Sequence, residues 1–278
     1  MAKVPISFEV YPPRSVESAP ALYEAIDRLS ELGPNFISVT FGAGGSETKN
    51  SLEVLGYIKA AGVNPLAHLT CAGTTSESAS ALVQEFLDAG ITDFLALRGD
   101  LPEGQHDLPK DSLSTAAELV YLISQVRTEA GKTAVAAFPN GHPESGDNRS
   151  DVAALLAKQA AGADYAITQL FFYAKDYLDF VSLAKSSGVT IPIVPGIMPI
   201  ISPKRLERVI DLTGERNPVE FAQLLNNAED ATGRVEVGIN WAAKLVAELV
   251  EAGAPGIHLY AFNEHERVTE VLRRAELV

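Results

Sequence analysis

Hydrophobic and polar positions alternate in short runs along this chain, and the runs are separated by stretches of helical period. The first run sets the pattern: residues 6–14 read ISFEVYPPR, with Ile6, Phe8 and Val10 on one parity and Ser7, Glu9 and Tyr11 on the other. Side chains of a strand point alternately to its two faces, so the apolar set packs against a covering layer and Glu9 points the opposite way. A carboxylate on an inner face is costly unless it is paired, hydrated or used. Pro12 and Pro13 cannot extend a ladder, so the strand is expected to stop about three residues after Glu9. Helical spacing follows over 18–32 and ends at Gly33-Pro34. Further strands are expected at 35–41 (NFISVTF), 62–70, 92–98 (TDFLALR), 133–138 (TAVAAF), 164–170 (DYAITQL), 191–196 (IPIVPG) and 256–262 (GIHLYAF). The helices between them include one capped by Thr75, one over 112–130 and one over 147–161. Between the seventh and eighth strands the helical segments 202–212, 217–226 and 234–252 exceed what one crossover needs.

Eight strands alternating with helices predict an α/β fold, a (β/α)8 TIM barrel forming a single catalytic domain over residues 1–278, with extra helix inserted between strands 7 and 8. The rival, an open doubly wound sheet, wants a glycine-rich dinucleotide turn after the first strand, and YPPRS is not one. Reactive groups of such a barrel gather where the strands end. Glu9, Thr40, His68, Arg98, Asp100, Phe138, His142, Gln169 and Tyr260 all fall there. Parity agrees: Ser38 with Thr40, Leu66 with His68 and Thr70, and His258 with Tyr260 share inner faces. Bland readings stand beside these: a hydrogen-bonded core histidine for His68, an ion pair for Arg98 and Asp100, a backbone-satisfying amide for Gln169. The glycine-rich 42–46 (GAGGS) is equally a phosphate cradle or a flexible turn.

Composition narrows the class. A chain of 278 residues, 46% hydrophobic, supports one large core, and a net charge of −14 argues against nucleic acid or an anionic membrane as partner. The single cysteine, Cys71, allows no intrachain disulfide, which fits a reducing cytoplasm. No apolar run approaches the roughly 18 residues of a membrane span. His142 and Glu144 begin an H-x-E zinc motif, but its cysteine half is missing, and no metal is expected.

With these residues laid out, the chain resembles the methylenetetrahydrofolate reductase family over nearly its whole length. FEVYPPR (8–14), SVTFGAGGS (38–46), HLTC (68–71), ALRGDLP (96–102), HPE (142–144), AITQLFF (166–172), PGIMPI (195–200) and LYAFN (259–263) follow in family order. The resemblance implies a (β/α)8 barrel that reduces 5,10-methylenetetrahydrofolate to 5-methyltetrahydrofolate. It places Glu9 as the general acid that opens the imidazolidine ring, a role that burial favours by keeping a carboxyl uncharged. Asp100, ionised, would favour the developing cation. Gln169, Tyr260 and Phe172 would hold the folate. Thr40, His68, Arg98, Gly99, Phe138, His142, Asp151 and Lys158 match the cofactor shell.

The resemblance also shows departures. Family members bind FAD, yet Phe138 stands where a tyrosine is expected, Ala154 and Ala157 where an asparagine and an arginine reach the cofactor, and Glu264 where an arginine is familiar. Charge-assisted bonds to a diphosphate contribute about 1.5–3 kcal/mol each, so their loss should weaken flavin binding. The expectation is therefore hydride transfer from NADH or NADPH directly to folate, with FAD absent, in a monomer or homo-oligomer. The same reaction through bound FAD remains the alternative, as does a pterin-binding barrel of another kind, a methyltransferase or a folate-binding protein.

Overall fold

Parity decides which residues the barrel wall covers and which it encloses. The structure, a computed structural model, describes residues 4–13, 15–40, 48–99, 111–145 and 147–278. The strands β1 (Ile6–Val10), β2 (Phe36–Val39), β3 (Pro65–Thr70), β4 (Asp93–Leu97), β5 (Thr133–Ala137), β6 (Tyr165–Thr168), β7 (Ile193–Val194), β8 (Gly196–Ile197) and β9 (Ile257–Tyr260) pair in parallel. Their order is β7-β6-β5-β4-β3-β2-β1-β9-β8. One residue, Pro195, separates β7 from β8; β7 pairs with β6 and β8 with β9, so a single broken segment brings the two sheet edges together. The expected seventh strand is thus split, because proline has no N–H for the ladder. Its carbonyl still accepts from His258 N at 3.0 Å.

Ile6, Phe8 and Val10 pack outward with Leu22, Ile26 and Leu29 of α1 (Ala19–Ser30). Inside, Leu66, Leu95, Ala134 and Ile167 form a small apolar layer with Phe36, Leu97 and Tyr165 against it. A third cluster, Leu170, Phe172, Ile200, Leu206, Val209, Phe221 and Leu225, joins the barrel's C-terminal end to α7 (Pro203–Thr213) and α8 (Val219–Asn227). Together with α9 (Ala231–Glu251) these make up the expected insertion, and α7 and α8 roof one side of the mouth.

The remaining helices are α2 (Thr48–Ala60), α3 (Ser76–Asp88), α4 (Ala116–Val126), α5 (Asn148–Ala160), α6 (Ala174–Ser186) and α10 (His265–Arg274). Thr75 caps α3 as expected, accepting from Ser78 N. The helix expected over 112–130 is shorter. Ser112 bridges to Thr75, a Thr115–Glu118 capping box starts α4 four residues later, and Arg127 turns extended to donate to Thr92 O at 3.1 Å. The second strand ends at Val39; Phe41, the last residue expected in it, lies outside the described residues together with the 42–46 loop.

Gly196 sits where the broken segment crosses the barrel. A Cβ there would lie 2.4 Å from Thr168 O and 2.9 Å from the Tyr260 ring. Gly196→Ala should therefore destabilise the protein by roughly 1–3 kcal/mol, the usual range for overpacking, read as a lower urea midpoint at unchanged m-value.

Candidate active site in the barrel mouth

The inner faces of β1, β3 and β9 bring three titratable groups to one point. Glu9 is in register with Ser38 on one side and Tyr260 on the other, and is buried at 8% exposure. His68 Nε2 lies 3.6 Å from its Oε2 and His258 Nε2 3.8 Å from the same oxygen. Neither ring nitrogen has a hydrogen-bond partner among the described residues, and both rings are buried. Ser7, one inner position below Glu9, places Oγ 2.9 Å from His258 Nδ1 and 3.4 Å from Ile257 O. Ser7 Oγ donates to Ile257 O, and the direction of its contact with His258 Nδ1 is set by the imidazole tautomer. Burial pushes the His68 imidazole below its ordinary pKa, with Glu9 pulling the other way and His258 adding to the fall. Tyr260 donates to Thr168 O at 2.8 Å, and burial holds its phenol protonated far above the usual range, helped by Glu9.

Above these groups opens a cavity of about 360 Å³, within the range of roughly 300–1,000 Å³ common for small-molecule sites. Glu9, His68, Gln169 and Tyr260 line it with Phe138 and Phe262, and Val209, Leu212 and Thr213 of α7 close one side. A larger groove, about 770 Å³, runs between α1, α9 and α10, but charged side chains line it and several of them pair with one another; no core of strand-end groups reaches it.

The other expected site residues divide. Gln169 Oε1 accepts from Leu170 N at 2.9 Å, so the backbone-satisfying role holds even at the mouth. Phe172 points away, into the cluster with Phe221 at 6.0 Å between ring centres. Thr40 N donates to Val10 O, tying the end of β2 to β1. Gly99 has φ +76° and a Cβ would meet Thr70 Cβ at 2.8 Å, so only glycine fits at this position two residues past β4. Arg98 pairs with Glu144, and Asp100 lies outside the described residues. His142 stacks edge-on against Phe138 at 4.7 Å. Asp151 accepts from His142 N and from Ser145 Oγ at 2.8 Å, so its carboxylate shapes the turn before α5. Lys158 donates to Ala136 O at 2.8 Å from beneath the Phe138 ring, and burial lowers its pKa to about 8 against the pull of Asp151.

Sequence reasoning overlooked the roof residues and the backbone acceptor of Thr168. The amphipathic 202–212 segment was visible, but nothing in a helical period says which strand ends it covers. Glu215, just past α7, anchors that roof. It accepts from Asn140 Nδ2 at 2.8 Å, and Asn140 also donates to Asp176 at 3.3 Å and accepts from Arg216 at 3.0 Å. Burial, with Asp176 adding, raises the Glu215 pKa to about 7, opposed by Asn140 and Arg216.

The comparisons with known proteins agree with this geometry. Residues 1–276 match the family model described as methylenetetrahydrofolate reductase. The chain is 36% identical over 266 residues to 5,10-methylenetetrahydrofolate reductase of Escherichia coli (strain K12), covering 95% of this chain and 88% of that one. It is 32% identical over 286 residues to methylenetetrahydrofolate reductase (NADH) 1 of Arabidopsis thaliana, covering 98% of this chain and 48% of the plant protein. Among solved structures, a Clostridium thermocellum protein described as binding two copies of 5-methyl-5,6,7,8-tetrahydrofolic acid shares the fold with a TM-score of 0.63 at 17% identity, over 98% of this chain and 94% of that one.

A raised carboxyl pKa in the folded state means that the unfolded chain binds fewer protons between pH 4.5 and about 7. Stability should thus fall as pH rises through that window, by up to about 3 kcal/mol, and Glu215→Gln should flatten the fall in thermal melts taken from pH 4.5 to 8. Fold, mouth and matches lead to one assignment: the chain belongs to the methylenetetrahydrofolate reductase family.

Proposed function

We propose that the protein reduces 5,10-methylenetetrahydrofolate to 5-methyltetrahydrofolate, taking hydride directly from NADH or NADPH bound in the same mouth. The observation that carries this reading is Glu9 itself: buried at the inner end of a pterin-sized cavity, with imidazoles rather than a guanidinium or ammonium as its charged-group neighbours among the described residues. A carboxyl so placed can hand a proton to the folate nitrogen, breaking that nitrogen's bond to the methylene carbon and leaving an N5 methylene iminium. Hydride then adds to the carbon and the nicotinamide is oxidised. Rate depends on holding donor and acceptor carbons in line, which the apolar walls of Leu97, Ile167 and Met198 would do by excluding water and restricting both rings. Tyr260, fixed on Thr168 O, would shape the hydride path, with Gln169 on the pterin. Asp100 belongs to this proposal as the ionised group that favours the iminium.

The residues that match the family's flavin shell are engaged within the chain rather than free to hold FAD. Asp151 is committed to the turn amide and Ser145, Lys158 is committed to Ala136 O under an aromatic lid, Arg98 is paired with Glu144, and Ala154 and Ala157 have no polar atoms to offer. FAD held by these particular residues would have to break these contacts, so no step is drawn through it; nothing in the proposal asks them to hold the nicotinamide donor.

Two measurements test the proposal. Glu9→Gln should lower NADH- or NADPH-dependent turnover of methylenetetrahydrofolate by roughly a hundredfold or more while folate affinity changes by less than about threefold, since general acids supply some 10²–10⁴ in rate. Equal rates would remove Glu9 from the chemistry, and folate binding without any turnover in the native protein would leave a binding barrel instead. The purified protein should be colourless and gain no activity from added FAD; stoichiometric absorbance near 450 nm surviving gel filtration would restore the flavin route.

A further inference from the structure

The matched family pattern puts His68 in a cofactor shell, but its surroundings say otherwise. Its Nε2 is buried, has no hydrogen-bond partner among the described residues, and lies 3.6 Å from Glu9 Oε2. His258 Nε2 approaches the same oxygen from β9 at 3.8 Å, likewise unpartnered. Two imidazole nitrogens left without partners in a dry interior represent a cost the fold would shed unless something completes them. The atom within reach of both is Oε2. At 3.6 and 3.8 Å both nitrogens stand just beyond a formed hydrogen bond to it, a gap that catalytic groups commonly close in the substrate complex.

His258 is tied to Ser7 through Nδ1 and, in the tautomer that accepts there, offers Nε2–H to Glu9. His68, held neutral by burial, has one proton to place, and on Nε2 it would meet the same oxygen. We infer that His68 is a positioning residue for the proton donor: with His258 it clamps Oε2 of Glu9, leaving Oε1 as the oxygen that carries the proton to the folate. The inference rests on the reductase reading above. No bond is made or broken at His68. When Glu9 is protonated on Oε1, its Oε2 is a carbonyl oxygen accepting from two rings; when the proton has gone to the folate nitrogen, the same two N–H groups hold the carboxylate in place for the next turnover. A single fixed oxygen means a single orientation of the acidic O–H, and orientation is where a proton donor gains or loses most of its effect.

Five proteins decide it: native, Glu9→Gln, His68→Leu, His68→Gln and the double variant His68→Leu with Glu9→Gln. His68→Leu should lower kcat by roughly tenfold or more with the folate KM within about threefold of native, the split expected for a group acting only on the transition state. His68→Gln, whose amide N–H can reach Oε2, should recover most of the loss. Because His68 acts through Glu9, adding His68→Leu to Glu9→Gln should cost less than about twofold more, a non-additive cycle. Losses that multiply in the double variant, or a leucine variant whose kcat is native, would overturn the inference while leaving the reductase reading intact. A folate KM that rises in step with a lost 450 nm chromophore would return His68 to a flavin shell. Should His68→Leu fold poorly by thermal melt, the glutamine variant and the cycle built on His68→Gln separate the same outcomes. A native protein that never oxidises NADH or NADPH with methylenetetrahydrofolate fails the reading itself, not the clamp.

Discussion

The structure depends on enclosing one carboxylate. A closed parallel barrel offers every second strand residue no solvent and no helix to face, only the opposite strands. Here Ser7, Glu9, Ser38, His68 and His258 occupy such positions, and each is buried. Polar groups sealed in that way must find each other. Ser7 meets His258, the two imidazoles converge on Glu9, and Tyr260 reaches across to Thr168 O. The apolar layer of Leu66, Leu95, Ala134 and Ile167 lies within the same interior and raises the cost of leaving any of them unpaired.

The closure of the barrel and the placement of the site share one device. Pro195 breaks the seventh strand, so the chain swings from β6 to β9 within a single residue. Gly196 then has to pass against Thr168 O and the Tyr260 ring, and its N–H bonds Thr168 Oγ1 at 2.9 Å. The residue that orients Tyr260 and the residues that seal the sheet are therefore the same. Packing at the barrel's end extends this to the roof, where Leu170, Phe172 and Met198 lie under Val209 and Phe221.

The cofactor question is one of charge already engaged within the protein. Lys158 and Asp151 stand at positions that match a flavin shell, yet each completes a contact within the chain: one caps the Ala136 carbonyl and the other holds the turn at His142. Glu264, at the place where an arginine is familiar, is matched by Arg205 and Arg267, and Arg205 lies 4.2 Å over the Phe262 ring. These are local neutralisations by neighbours on other turns of the chain, and among the described residues no lysine or arginine lines the mouth.

Strand parity, visible in ISFEV and GIHLY, was enough to place Glu9 and His258 inside, because alternation is a property of the extended backbone alone. Pro12 and Pro13 likewise announced the end of the first strand, which stops at Val10. What the chain could not disclose were distances between strands that never adjoin in sequence. That His68 and His258 aim at one oxygen of Glu9, that Phe172 turns into the roof cluster, and that Lys158 is sealed beneath Phe138 follow from barrel closure and side-chain packing. A periodic pattern names the face a residue lies on; only the assembled wall decides which other residues share that face and how close they come.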